Sequence, residues 1–276
     1  MLLNFAKMQA LGNDFMIVDG ISQPIAFAAS TIQRLADRKR GIGFDQLLLV
    51  EPPYSPSVDF HYRIFNADGG EVGQCGNGAR CFARFVRHLG LTWKNQIRVS
   101  TIAGEMTLQL EDDGLVTADI AIPNFEPDKI PMQFVGPGPE HRMLLNGVET
   151  SFMALSVGNP HAVLEVADVS VAPVASVGKA ICENPVFPQQ TNVGFLQVLN
   201  RNEVRLRVYE RGVGETEACG SGASAAVVAG RQRGLLDERV QVHLPGGTLT
   251  VSWAGPGQPV RLTGPAQLVF EGQIEV

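Results

Sequence analysis

Clustered positive charge is the first thing this chain lacks. Its 22 Lys and Arg against 28 Asp and Glu leave a formal net charge of −6, and no basic stripe runs through it, which argues against non-specific nucleic-acid binding. Its 4 cysteines include no Cys-x-x-Cys and its 5 histidines no pair at zinc spacing, so no metal site is expected. Lysine is scarce too: the residues at 7, 39, 94, 129 and 179 all lie outside the repeated segments described below, and nothing points to a pyridoxal Schiff base. The first twenty residues are broken by Asn4, Lys7, Gln9, Asn13 and Asp14, too polar for a signal-peptide core or a membrane span. A cytoplasmic protein without low-complexity tracts is expected.

What is present is an ordinary globular composition written twice. The 276 residues, 45% hydrophobic and 18% charged, suit one large or two medium domains. EVGQCGNGARCFARFV, from Glu71, aligns with ETEACGSGASAAVVA, from Glu215. Cys75 matches Cys219, Gly76 matches Gly220, Gly78 matches Gly222 and Ala79 matches Ala223, at an offset of 144 residues, 219 minus 75. In each copy the glycines let a ligand approach the unpaired N–H groups of a helix's first turn. Such a mouth attracts anions and favours thiolate over thiol. Two activated thiols facing one anionic ligand are expected, whereas Cys81 and Cys182, without such context, read as inert core residues.

The duplication extends beyond the cysteines. Leu11–Val18 resembles Val157–Leu164 and matches Asn13 to Asn159; GFDQLLLVEP and TNVGFLQVL match Gln46 to Asn192; the alternating strands DFHYRIFN and EVRLRVYE match Asn66 to Glu210. Helices are expected over Ser30–Arg40, with Ser30 as N-cap and Gly41 as stop, and from about Val171 to Glu183. Matched hairpins are expected to turn at Gly104 and at Gly246-Gly247. The helix from Cys219 to Arg233, small-sided and uncharged before Arg231, reads as enclosed by other structure. The first helix sets Arg80, Arg84 and Arg87 on one stripe, which reads as a wet face. Short strands around one central helix in each half predict a mixed or antiparallel sheet rather than a doubly wound one. A Pro- and Gly-rich boundary lies at 123–139. The expected lobes are 1–119 and 120–264, with the last strand, 265–276, returning to the first.

Taken singly, each of these polar residues is a turn or strand-end group. As three symmetric pairs they point to a cleft between the lobes. Inverting a carbon centre needs one group to take a proton from one face and another to deliver one to the opposite face, and a thiol pair can do both. Helix-mouth N–H groups holding a carboxylate would stabilise the carbanion without a cofactor. An amino-acid racemase or epimerase is the expectation; a dithiol redox protein and an amino-acid binding module are the alternatives.

FNADGGEVGQCGNGARCFARFV, LGNDF, GFDQ, GNPH, TNVGF and YERGVGETEACGSGA together resemble the diaminopimelate epimerase family, from KMQALGNDF to GPAQLVFEG. The resemblance implies an α+β fold of two pseudo-symmetric lobes, each a mixed or antiparallel sheet curled around a central helix. It implies a cofactor-independent two-base epimerase interconverting LL- and meso-2,6-diaminopimelate in lysine and peptidoglycan precursor synthesis, and a homodimer. By the same resemblance Cys75 and Cys219 are catalytic. Gly76, Asn77, Gly220 and Ser221 hold the reacting carboxylate, and Asn13 and Gln46 lie near its ammonium. Asn66, Asn159, Asn192, Glu210 and Arg211 read the distal end, and His161 and Glu210 tune the thiols. Proline racemase and hydroxyproline epimerase share paired Cys-Gly motifs but act on a ring with one carboxylate. Departures are Ala10, where Gly is frequent, and Gly70, where Ser is common. The apolar C-terminal strand with Phe270 is the expected dimer contact.

Overall fold

Leu11 and Gly12 both adopt positive φ (55° and 85°), the two-residue loop whose twist suits a tight hairpin. They join β1 (Leu2–Ala10) to β2 (Asn13–Asp19) and set Asn13 opposite Ala10 as the first residue of its strand. The computed structural model describes residues 2–23, 25–133, 138–145 and 147–276; positions 134–137 of the expected boundary lie outside the described residues. The chain divides into two compact units, Met1–Asp119 with Thr263–Val276, and Ile120–Leu262.

In the first unit β1 and β2 are followed by α1 (Ala29–Ala36), β3 (Gln46–Glu51), β4 (Phe60–Asn66), β5 (Glu71–Val72), α2 (Gly76–His88), β6 (Gln96–Thr101), β7 (Gly104–Leu110) and β8 (Val116–Asp119). β2 runs parallel to β3 and β4 parallel to β6, while β1–β2, β3–β4, β4–β5, β6–β7 and β7–β8 pair antiparallel. Phe15, Met16, Ile17 and Val18 are all 0% exposed, as expected of a strand covered on both faces. Met16 and Val18 pack with Ile32 and Leu35 of α1. On the opposite face Phe15 reaches Gly78 of α2, and Tyr62 of β4 stacks on Phe82 with centroids 4.5 Å apart.

The second unit repeats this plan with β9 (Glu140–Leu145), β10 (Val148–Ser156), β11 (Pro160–Glu165), α3 (Lys179–Cys182), β12 (Asn192–Asn200), β13 (Glu203–Glu210), β14 (Gly214–Thr216), α4 (Gly220–Gln232), β15 (Arg239–Leu244) and β16 (Gly247–Ser252). The registers repeat as well. Phe15 faces Gln46 as His161 faces Asn192; Leu47 faces Phe65 as Val193 faces Tyr209; Phe65 faces Glu71 as Tyr209 faces Glu215; Phe60 faces Val99 as Val204 faces Val242. The unit boundary falls within β17 (Arg261–Gly264). The last strand, β18 (Gln267–Glu275), then pairs antiparallel with β1, from Leu2 opposite Glu275 to Gln9 opposite Gln267.

Three local expectations are corrected. α1 begins at Ala29 after an uncapped Ala28 and stops at Asp37, whose carboxylate accepts from the Lys39 and Arg40 N–H groups and turns the chain before a last helical turn can form. The Val171–Glu183 helix is split: a π turn at Val174–Gly178 leads into the short α3, and Pro173 holds Ala172 before it in an extended conformation, which cuts off a start from Val171. Finally, α2 has no wet Arg80 face. Arg80 is 0% exposed, because its guanidinium finds three acceptors inside the first unit.

Candidate active site

Both Cys-Gly-x-Gly-Ala segments sit where a short strand gives way to a helix. Arg63 grips Glu71 of β5 with two bonds of 2.9 and 2.7 Å, and Arg207 grips Glu215 of β14 with two of 2.6 and 2.9 Å. These forked pairs anchor the strand just before each cysteine. Cys75 is the N-cap of α2 in extended conformation, its sulfur accepting from Gly78 N–H at 3.4 Å; Cys219 is the N-cap of α4, its sulfur accepting from Gly222 N–H at 3.3 Å. Cysteine replaces the usual Ser or Asp cap, so each sulfur lies against the positive end of a helix.

Around Cys75 the structure gathers Asn13 and Asn77. The thiol points to Asn13 Oδ1 at 3.8 Å, Asn77 Nδ2 donates to the same oxygen at 3.3 Å, and Asn13 Nδ2 donates to Asp45 Oδ2 at 2.8 Å. Behind Asn13 lies a charge cluster absent from the sequence reading. Arg38 donates to both Asp14 oxygens at 2.8 Å and to Asp45 at 2.8 Å, while Lys7 reaches Asp14 at 2.6 Å and the Gly43 carbonyl. Burial pushes the Asp14 carboxyl up, but Arg38 and Lys7 outweigh it and hold it at about 2. Gln46 and Asn66 meet on adjacent strands, Gln46 Nε2 donating to Asn66 Oδ1 at 2.9 Å, and buried Gln46 Oε1 has no hydrogen-bond partner.

Around Cys219 the second unit gathers Asn159, His161, Glu210, Thr216 and Ser221. Asn159 Nδ2 donates to Ser221 Oγ at 3.2 Å, Ser221 Oγ lies 3.6 Å from the sulfur, and Thr216 donates to Glu210 at 2.5 Å. His161 is 1% exposed, and burial, aided by the Arg211 charge, lowers its pKa to about 3. The ring is therefore neutral; Asn159 Oδ1 can only accept, so the proton sits on Nε2, 3.0 Å away. Asn192 accepts from the Arg211 backbone N–H at 3.0 Å, and the Arg211 guanidinium donates to Gln189 O at 3.2 Å.

The helix mouth does not make Cys219 a thiolate. Burial raises its pKa well above the ordinary thiol value, and the Glu210 carboxylate adds to the rise, outweighing Ser221 and the Gly222 N–H. Glu210 is itself raised by burial. For Cys219 this corrects the expectation of a helix mouth that favours thiolate: desolvation and a neighbouring carboxylate exceed the helix terminus. The surroundings of the two sulfurs differ. Cys75 is half-buried rather than buried, Asn66 stands where the second unit has Glu210, and Arg80 stands where it has Ser224.

The diaminopimelate epimerase family matches this chain over residues 5–125 and 153–269. Among solved structures the chain is similar to a PhzF-family phenazine biosynthesis protein from Bacillus anthracis, at 17% identity with 100% of both chains covered and a TM-score of 0.70. It is similar to a hydroxyproline epimerase from Agrobacterium vitis with trans-4-OH-L-proline bound, at 14% identity, 99% of this chain and 92% of that one covered and a TM-score of 0.69. A methylitaconate-delta-isomerase gives 14% identity, 99% and 95% coverage and a TM-score of 0.66. At these identities the likeness is one of fold: two lobes of mixed sheet with few helices.

Proposed function

The chain belongs to the diaminopimelate epimerase family, and from that premise we propose that this isomerase-type enzyme interconverts LL- and meso-2,6-diaminopimelate. The reaction runs by cofactor-independent proton transfer at one Cα, with Cys75 and Cys219 as the two acid–bases. The observation that carries this reading is the unequal pair of duplicated thiols. A two-base inversion needs one thiolate and one thiol at the start. Cys219, buried beside Glu210, is held protonated; Cys75, half-buried at its helix mouth, enters as the base. It removes the Cα proton from one face while Cys219 delivers its own to the other, leaving the sulfurs in exchanged states.

The carbanion is stabilised through its carboxylate by the N–H groups at Gly76, Asn77, Gly220 and Ser221. Asn13 and Gln46 take the nearby ammonium; the unpaired Gln46 Oε1 is an acceptor suited to it. Asn66, Asn159, Asn192 and Glu210 receive the distal ammonium end, and Arg211 the distal carboxylate. Neutral His161 orients Asn159 and, through it, Ser221. The working form is a homodimer through the exposed apolar stretch of β18, where Leu268, Val269 and Phe270 are 41%, 56% and 46% exposed.

The test is incubation with LL-diaminopimelate in deuterium oxide without added cofactor, following label at Cα. Incorporation with formation of the meso isomer is expected, and Cys75→Ala or Cys219→Ala should each slow it roughly 10²- to 10⁴-fold. Exchange into L-proline instead would assign the chain to the ring-acting racemases, and no exchange into either would overturn the two-base scheme.

A further inference from the structure

Arg80 is a fully buried cation with no carboxylate paired to it among the described residues: after burial, the groups that bear on its charge are the thiols of Cys81 and Cys75. Burial lowers its pKa only to about 10, so it stays charged at neutral pH. Burying such a group is costly unless its donors are satisfied. Its donors reach Asn77 Oδ1 at 2.8 Å, Gly76 O at 3.2 Å and Pro265 O at 3.2 Å. The fold does not require it. At the matching position of α4 the second unit, built on the same registers, carries Ser224, whose hydroxyl bonds back to Gly220 O at 3.0 Å.

The hydrogen-bond polarity shows what the guanidinium does. It can only donate, so the Asn77 atom facing it is the oxygen, and Asn77 Nδ2 is turned to Asn13 Oδ1. Asn13 Nδ2 is thereby turned to Asp45 Oδ2, which can only accept. Donation runs Arg80 to Asn77 to Asn13 to Asp45, fixed at each end by a group of one polarity, and the Cys75 thiol is aimed at the middle of it.

We propose that Arg80 is the positioning residue of the Cys75 half-site, fixing from below the two amides that flank the thiol and placing a buried positive charge under it. This rests on reading Cys75 as an acid–base residue. Arg80→Lys keeps the charge but loses the planar fork, and Arg80→Met loses both. Asp45→Asn frees the far end of the chain at a half-exposed position without touching the core. Two readouts are needed. One is the rate of iodoacetamide alkylation located at Cys75 by mass spectrometry, which is selective because the other three cysteines are buried. The other is kcat and KM on diaminopimelate, with thermal melts to verify folding.

Arg80→Lys and Asp45→Asn are expected to lower kcat roughly 10- to 100-fold with a smaller change in KM, the scale of a misplaced catalytic geometry. Arg80→Met is expected to slow alkylation as well, by roughly tenfold, about one pKa unit of the thiol. Wild-type kcat in a folded Arg80→Lys, or in Asp45→Asn, overturns the positioning of the amides. Wild-type alkylation in a folded Arg80→Met overturns the charge. Failure of the wild type to exchange protons on diaminopimelate would strike the functional reading alone, because alkylation of Cys75 needs no substrate.

Discussion

A carboxylate and a thiol buried together compete for one proton, and Glu210 with Cys219 is such a pair. Replacing Glu210 by Gln removes a negative charge facing the sulfur, so the pH at which Cys219 ionises, followed by the Cβ chemical shift of isotope-labelled cysteine, should move to lower pH; an unmoved curve would remove Glu210 from the environment that sets the thiol. His161 gives a separate pH signature through stability. Its folded pKa, about 3, lies below the ordinary 6.5, so the unfolded chain takes up the proton first. Stability is whole above about 6.5 and falls as pH drops toward 3. Asp14 acts lower, contributing about 2 kcal/mol that is lost between 3.8 and about 2. Urea melts of His161→Gln and Asp14→Asn should flatten the upper and lower windows respectively. Arg211→Lys should raise KM roughly tenfold or more as a two-pronged donor becomes a point charge; unchanged kinetics would remove it from the distal carboxylate. At this scale the sequence displayed the thiols and the duplicated amides, because their glycine context repeats. It hid Arg80, since spacing along a helix places it with Arg84 and Arg87 and only the three acceptors around it reveal that it is inside.

At the scale of elements, the helix mouths are shaped by glycines of unequal tolerance. A Cβ on Gly222 would lie 2.9 Å from Val208 Cγ2 and 3.2 Å from the Cys219 sulfur, whereas one on Gly78 would meet Phe15 at 3.3 Å and Leu48 at 3.4 Å. Gly222→Ala should therefore displace its thiol and cut kcat more than Gly78→Ala, both retaining a cooperative melt; the reverse order would show that the mouth of α4 relaxes more freely than its packing implies. Strands and the two long helices were legible because alternation and glycine punctuation are local signals. The ends of α1 were not: Asp37 closes a side-chain turn that competes with helix propagation, a contest decided by geometry rather than propensity. The same holds just before Pro173, where the ring keeps Ala172 extended and cuts off the helical start that periodicity alone would place at Val171.

For the whole molecule, the repeated registers mean that one plan has been built twice and then differentiated by charge, with Arg80 and Asn66 in one copy against Ser224 and Glu210 in the other. The mixed-sheet class followed from short strands around one helix in each half, and the last strand was expected to return to the first lobe, while its pairing with β1 in particular rests on a separation in sequence that no local pattern encodes. Phe270, 46% exposed and edge-on to Phe5 at 5.9 Å, anchors the proposed homodimer. Phe270→Glu should shift the protein to monomer in sedimentation or light scattering and lower its activity, and an unchanged mass would move the interface elsewhere.

The same strand sets an order of events during synthesis. β1 leaves the ribosome well before β18, its neighbour along nearly its full length. The second unit, continuous from Ile120 to Leu262, can close on itself while the first still has a bare sheet edge. The unit begun earliest is thus completed latest, and a chain cut short after Gly264 would carry a finished insert inside an unfinished host.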